Sequence, residues 1–137
     1  MTILAPMTQM RVSEAASLLG VSPDTVRRAI DAGRLTSTRD EAGRTVVEGA
    51  DLAALAQQQA HPADIGAVGA SSARNQLRGI VTRIVSDPVM SQVDIQAGPF
   101  RLVSLLSTEA VEEMGLEVGS VAIATVKATN VGVGVPA

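Results

Sequence analysis

The feature that most constrains this chain is a change of hydrophobic period part-way along it. Up to about residue 60, apolar residues recur at helical spacing. From about residue 74 onward, short runs rich in Val and Ile alternate with Gly, Pro and Asp breakers. The intervening stretch, Ala-His-Pro-Ala-Asp-Ile-Gly-Ala-Val-Gly-Ala-Ser-Ser-Ala over 60–73, has neither period and reads as a linker. One sheet or one bundle cannot satisfy both periods, so the expectation is an α+β chain of two small domains, placed at 10–59 and 72–135 with a linker at 60–71.

In the first domain Ser13 reads as the N-cap of a short helix that ends at Gly20. Ser22-Pro23 then opens a second helix, Pro23 to Ala32, with Ser22 as cap and Pro23 where a missing N–H costs nothing. Val26, Ala29 and Ile30 face inward from it, while Arg27, Arg28 and Asp31 face out. Leu35–Arg39 and Arg44–Glu48 suit a two-stranded hairpin around Asp40–Gly43, and a third helix spans Asp51–Gln59. In the second domain five strands are expected at 77–85, 89–96, 100–106, 121–126 and 131–135. A helix capped by Ser107 and stopped by Gly115 falls between the third and fourth, which suits a small OB-like β-barrel.

Composition narrows the chemistry. The 137 residues include no Cys, Trp or Tyr, one Phe and one His, His61. Thiol nucleophiles, disulfides and Cys-based metal sites are excluded, and a multi-His metal site or Ser–His–Asp triad is hard to build from one chain. No nucleophile–base pair stands out, so an enzyme is not expected. No apolar run reaches the roughly 20 residues that span a bilayer, and no positively charged leader opens the chain, so a cytoplasmic protein without membrane contact is expected. The formal net charge is −3, and six Arg face seven acidic residues before residue 60, so any nucleic-acid contact must come from a local patch. A barrel of about 65 residues with one aromatic has little core, and self-association is the expected remedy.

Arg11-Val-Ser-Glu-Ala-Ala-Ser-Leu-Leu-Gly20-Val-Ser-Pro-Asp-Thr-Val-Arg-Arg-Ala-Ile30 resembles the helix-turn-helix of the MerR and excisionase families, with the hairpin as a wing. The resemblance implies DNA binding: Thr25 and Arg28 toward base edges, Arg27, Arg34, Arg39 and Arg44 toward phosphates. Asp24 and Asp31 offset Arg27 and Arg28, so each module alone should bind weakly.

Ser71-Ser72-Ala73-Arg74-Asn75-Gln76-Leu77 and Lys127-Ala128-Thr129-Asn130-Val131 resemble the molbindin (Mop or TOBE) family, as does the segment Ser107–Gly119 between them. The resemblance implies a molybdate site, with tungstate and sulfate as ions of similar charge and shape. A tetrahedral dianion needs one or two cations and several converging donors. Carried over by motif, Ser72 and Ser107 give hydroxyls, Arg74 a guanidinium, Lys127 an ammonium, Ala128 a backbone N–H and Thr129 a further donor. Lys127 is the one lysine in the chain, which a ligand role explains better than solubility. Two positions depart from the family: Ser107 stands where Thr is usual, keeping the oxygen, and Ala110 stands where a hydroxyl is common, shedding one contact. The family further implies a hexamer, a trimer of dimers, with the anion between subunits, so that Arg74 and Lys127 meet from different chains. The combined expectation is a molybdate-responsive DNA-binding regulator. The alternative is a molybdate store whose N-terminal module makes protein contacts.

Overall fold

A computed structural model describes residues 8–66 and 69–137. The chain divides at Ala60/His61 into two compact units, each with its own apolar core. Linker residues 67 and 68 lie outside the described residues, and the described remainder of the linker forms no helix or strand.

The N-terminal unit runs β1 (Gln9–Arg11), α1 (Val12–Leu19), α2 (Pro23–Asp31), β2 (Ser37–Arg39), β3 (Thr45–Glu48) and α3 (Gly49–Gln59). The turn between α1 and α2 follows from its sequence. Gly20 takes the left-handed conformation at φ 69°, which L residues with a Cβ disfavour. Ser22 then caps α2 by accepting the Thr25 N–H at 3.2 Å. Helix α1 differs from expectation. It begins at Val12, so Ser13 is inside it, and Arg11 occupies the cap position without a side-chain cap bond. The cause is tertiary: Gln9–Arg11 forms a third strand, β1, which pairs antiparallel with β3 at Met10↔Val47 and delivers the chain to the helix already ordered. The wing is therefore a three-stranded sheet in the order β1-β3-β2. Val47, at its centre, is fully buried with Ala15, Val26, Ala29, Leu35, Leu52 and Leu55. Burying a Val side chain of this kind stabilises by about 1.5–3 kcal/mol.

The C-terminal unit runs β4 (Asn75–Ser86), β5 (Met90–Ala97), β6 (Phe100–Ser107), α4 (Thr108–Met114) and β7 (Val121–Val126), then a 3-10 turn at Ala128–Asn130. Its antiparallel sheet has the order β6-β5-β4-β7. The 12-residue β4 is its spine. Residues Asn75–Ile80 pair with β7, and Ile80–Ser86 pair with β5, the register slipping between Val81 and Arg83. Such a bulge bends a strand and lets the sheet curl. The curl leaves a cavity of about 710 Å³ bordered by Leu102 and Leu106 of β6 and by Ala122 and Ala124 of β7. The chain is thus α+β, a helix-turn-helix unit followed by a curled, OB-like sheet. The expected fifth strand does not form: residues 131–137 belong to no helix or strand. Val133 and Val135 are 93% and 88% exposed, and their alternation with Gly132 and Gly134 is unpaired among the described residues.

Polar pins fix the ends of this sheet. At the β4–β5 hairpin, Ser86, Ser91 and Thr108 join through their hydroxyls at 2.7 and 2.8 Å, and Thr108 Oγ1 donates to the Asp87 carbonyl at 2.7 Å. On β5, Asp94 is buried and accepts from Arg101 at 2.7 Å and from Gln92 at 3.0 Å. The Arg101 guanidinium, then Gln92, hold the Asp94 carboxyl below its ordinary value of 3.8. A depressed carboxyl contributes stability above its unfolded pKa and loses it as pH falls through the folded one. The expectation is a melting temperature that declines below about pH 4, with a shallower decline in Asp94→Asn. Parallel slopes in wild type and variant would refute that assignment.

Candidate functional site

The β4–β7 ladder begins at the pair Asn75↔Val126. Arg74 immediately precedes Asn75 and Lys127 immediately follows Val126, so the two cations flank one end of the same ladder. The Asn75 side chain ties that end by donating to the Val126 carbonyl at 3.1 Å. Ser72 lies two residues upstream. Arg74 donates to the Ser71 carbonyl at 3.3 Å, and neither Arg74 nor Lys127 is in an ion pair among the described residues. The 3-10 turn follows directly. Its own bonds are made by the N–H groups of Asn130 and Val131. The N–H groups of Ala128 and Thr129 are its first-turn donors, which such a turn does not itself satisfy. Ser72, Arg74, Lys127, Ala128 and Thr129 are all exposed. Together they put two cations, hydroxyls and N–H donors at one sheet corner, a set suited to an oxyanion.

Ser107 is elsewhere. It ends β6 opposite Met90, beside the Ser86↔Ser91 end of β4. Eleven strand residues at about 3.3 Å each separate the two ends of β4, so one chain does not bring Ser107 to Lys127. Within one chain, Arg74 and Lys127 flank the same end of the β4–β7 ladder, and Ser107 lies at the other end of β4. Ser107 Oγ caps α4 by accepting the Ala110 N–H at 3.1 Å, and its O–H proton remains available to donate.

In the N-terminal unit Arg28 and Arg34 are exposed on and just after α2 and make no ion pair among the described residues. The other expected contacts are partly engaged. Arg27 pairs with Asp24 at 3.0 Å, and Arg44 with Asp40 at 3.0 Å. The Asp40 carboxyl is held below its ordinary range, chiefly by the Arg44 backbone N–H. Arg39 donates to the Gly43 carbonyl at 2.8 Å inside the wing turn. Thr25 is half-buried, its hydroxyl 3.0 Å from that of Ser22, and so serves the helix cap. A cleft between α1, α2 and the wing gathers Arg27 and Arg44 with Arg11, Ser13 and Asp31; Thr25, Arg28, Arg34 and Arg39 do not line it. Arg11 was missing from the expected set, because only the β1–β3 pairing brings it beside the wing.

The helix-turn-helix domain family matches residues 10–60, and the TOBE domain family matches residues 71–133. A probable molybdenum-pterin-binding protein of Haemophilus influenzae is 48% identical over 65 residues, covering 47% of this chain and 94% of that protein. The chain belongs to the TOBE family. Molybdenum-pterin-binding protein 2 of Clostridium pasteurianum is 39% identical over 61 residues, 44% of this TOBE chain and 90% of that one. The molybdenum transport protein ModE of Herbaspirillum seropedicae is 39% identical over 62 residues, 44% of this chain and 23% of that longer protein. These shares leave the helix-turn-helix half of the TOBE chain outside the length the Haemophilus and Clostridium proteins can account for. No described helix is long and apolar enough to cross a membrane.

Proposed function

We propose that this chain is a molybdate-responsive, DNA-binding transcriptional regulator: the TOBE unit binds the oxyanion and the helix-turn-helix unit reads the duplex. The observation that carries the anion half is the β4–β7 register, which sets Arg74 and the one lysine of the chain on adjacent strand ends beside two first-turn N–H donors. Names of the relatives, all molybdenum proteins, support the choice of ion. Ser72, Arg74, Lys127, Ala128 and Thr129 form the larger part of the site and Ser107 of another copy the remainder, which implies a homo-oligomer, with a hexamer as the family form. Tungstate has the same charge and shape and would compete. Titration calorimetry with molybdate, tungstate and sulfate tests this half directly.

For the DNA half, Arg28 is the base-edge residue, since it stands exposed on α2, six residues beyond the Ser22 cap. Arg28→Ala should lose about 1–3 kcal/mol at the preferred sequence and relax the preference there. Arg39→Ala should weaken all duplexes alike and flatten the salt dependence. Selection from random duplexes followed by titration at two salt concentrations reads both effects. Should nothing be enriched, the storage reading takes over. One observation favours that second reading: segments of 61–65 residues already cover 90% or more of three Clostridium relatives and of the Haemophilus one, so the anion unit occurs without a reader.

A further inference from the structure

The N-terminal unit gathers guanidinium groups whose donors its own ion pairs use only in part. A cleft of about 530 Å³ opens between α1, α2 and the wing, lined by Arg11, Arg27 and Arg44 and by the hydroxyl residues Ser37 and Thr45. Ser37 pairs with Val47 and Thr45 lies two residues before it, so both share the sheet face that carries Val47. They are half-buried and polar where that face leaves the apolar core. Arg44 pairs with Asp40 through Nε, and Asp40 also accepts the backbone N–H groups of Ala42 and Arg44. Arg27 pairs with Asp24 through Nη1, in an exposed pair of the kind that contributes little. A guanidinium has five N–H donors, so both arginines keep donors for a further acceptor. Arg11 is in no ion pair among the described residues. It stands at the cap of α1, where an acceptor side chain is preferred and the helix dipole opposes a cation.

We infer that this cleft clamps one phosphodiester of a duplex strand, with Arg11 joining Arg27 and Arg44 as its cations and Ser37 and Thr45 as its hydroxyl donors. The inference rests on the DNA reading of this unit and adds to it a residue, a place and a charge balance. An anion beside Arg11 satisfies the guanidinium and the α1 dipole together, where the cation alone opposes the dipole. Asp31 also lines the cleft, and Asp24 and Asp40 already hold part of two guanidiniums. Little surplus charge therefore remains for a free dianion. A phosphodiester carries a single charge, and the rest of the duplex holds it in place. The volume points the same way, since it is many times the roughly 30 Å³ share of one water and suits a run of sugar and phosphate better than one small ion. Arg28 follows Arg27 on α2, about 100° further round the helix, so one helix presents a phosphate donor and a base-edge donor on neighbouring sides. Arg34 and Arg39 do not line the cleft and act as separate contacts.

The test titrates the full chain against a labelled duplex of mixed sequence, read by fluorescence anisotropy at several salt concentrations. Arg11→Gln should raise Kd about five- to tenfold whatever the sequence, and lower the salt slope by about one per bound module. Asp31→Asn should act in the opposite sense, tightening binding about two- to fivefold, a gain that damage to the fold does not produce. Arg83→Gln is the matched control: it removes the same charge from an exposed arginine of the C-terminal unit, and should change Kd by less than about twofold. Arg11, Asp31 and Arg83 are exposed and in no ion pair among the described residues, so circular dichroism should be unchanged in all three variants. If wild type binds the duplex and Arg11→Gln matches it in Kd and slope, the clamp is overturned and the DNA reading stands. An equal loss in Arg83→Gln also overturns it, because the effect is then one of net charge. Calorimetry with sodium phosphate in the absence of DNA separates the two sources of the group. No uptake is expected; uptake that Arg11→Gln abolishes, with duplex binding unchanged, gives the cleft to a free ion and overturns the clamp. If wild type binds no duplex at all, the DNA reading fails and the clamp fails with it.

Discussion

Replacing Lys127 with alanine is expected to weaken molybdate binding by about 2–3 kcal/mol, the scale for removing one partner of a charge-assisted hydrogen bond. That corresponds to roughly a 30- to 150-fold rise in Kd. Three observations set the size of the effect. Lys127 is in no ion pair among the described residues, so its charge is not already neutralised. It follows the last pair of the β4–β7 ladder, Asn75↔Val126, as Arg74 precedes it, so both cations lie at one end of that ladder. It also immediately precedes the 3-10 turn, whose own bonds are made by the Asn130 and Val131 N–H groups and not by those of Ala128 and Thr129. Because Lys127 is exposed and in no ion pair among the described residues, the substitution should leave the anion-free protein about as stable as wild type. Molybdate should therefore raise the melting temperature of wild type much more than that of the variant. Lys127→Arg should recover part of the loss, since charge is kept while the compact ammonium is replaced by a planar fork. Calorimetry showing the same affinity in wild type and Lys127→Ala would remove the site from this corner of the sheet.

The parts of the molecule legible from sequence are those decided locally. Gly20 and Ser22-Pro23 fix the helix-turn-helix turn through a positive φ, a side-chain cap and a missing N–H, all within four residues. Ser107 and Gly115 bracket α4 in the same way. Strand β1 was not legible, because three residues, Gln9–Arg11, have no pattern of their own and become a strand only by pairing with β3. The converse holds at 131–135, where the alternation is clear but no described strand pairs with it. The proposed site residues were recognisable as short motifs, whereas their placement at opposite ends of β4 was not. Whether Lys127 meets Arg74 or Ser107 depends on the register of β7 and β5 along β4 and on the slip at Val81/Arg83, which no segment encodes alone. The N-terminal unit differs again: the acids that engage Arg27 and Arg44 stand three and four residues away in the sequence, but the acceptor of Arg39 is a backbone carbonyl, Gly43, that only the folded turn presents.

The largest expected loss of stability is at Gly79, in the middle of β4. Gly79 pairs with Ala122 of β7, while the end of β5 crosses close over its other side. A Cβ there would sit 2.6 Å from the Gln96 carbonyl oxygen and 2.7 Å from Ile95 Cγ2, with the Gln96 carbonyl carbon at 3.0 Å. Two of those three atoms are backbone, so no side-chain rotation relieves the clash, and Ile95 is itself buried in the core. The only escape is to move β5 away from β4 where the sheet bends, which would open the cavity and shift the register that positions Asn75 and Val126. Gly79→Ala should therefore cost about 1–3 kcal/mol, the range for overpacking a well-packed site, and Gly79→Val more. For a unit of this size that is a fall of roughly 4–8 °C in melting temperature per kcal/mol. Gly69→Ala is the matched control: an added Cβ there meets nothing within 4 Å and the backbone needs no positive φ, so its effect should stay within about 0.5 kcal/mol. Calorimetric scans of the three chains decide the matter. A Gly79→Ala transition that coincides with wild type would mean that β5 does not cross β4 as closely as this fold requires, and the curl that brings β6 and β7 to one cavity would lose its support.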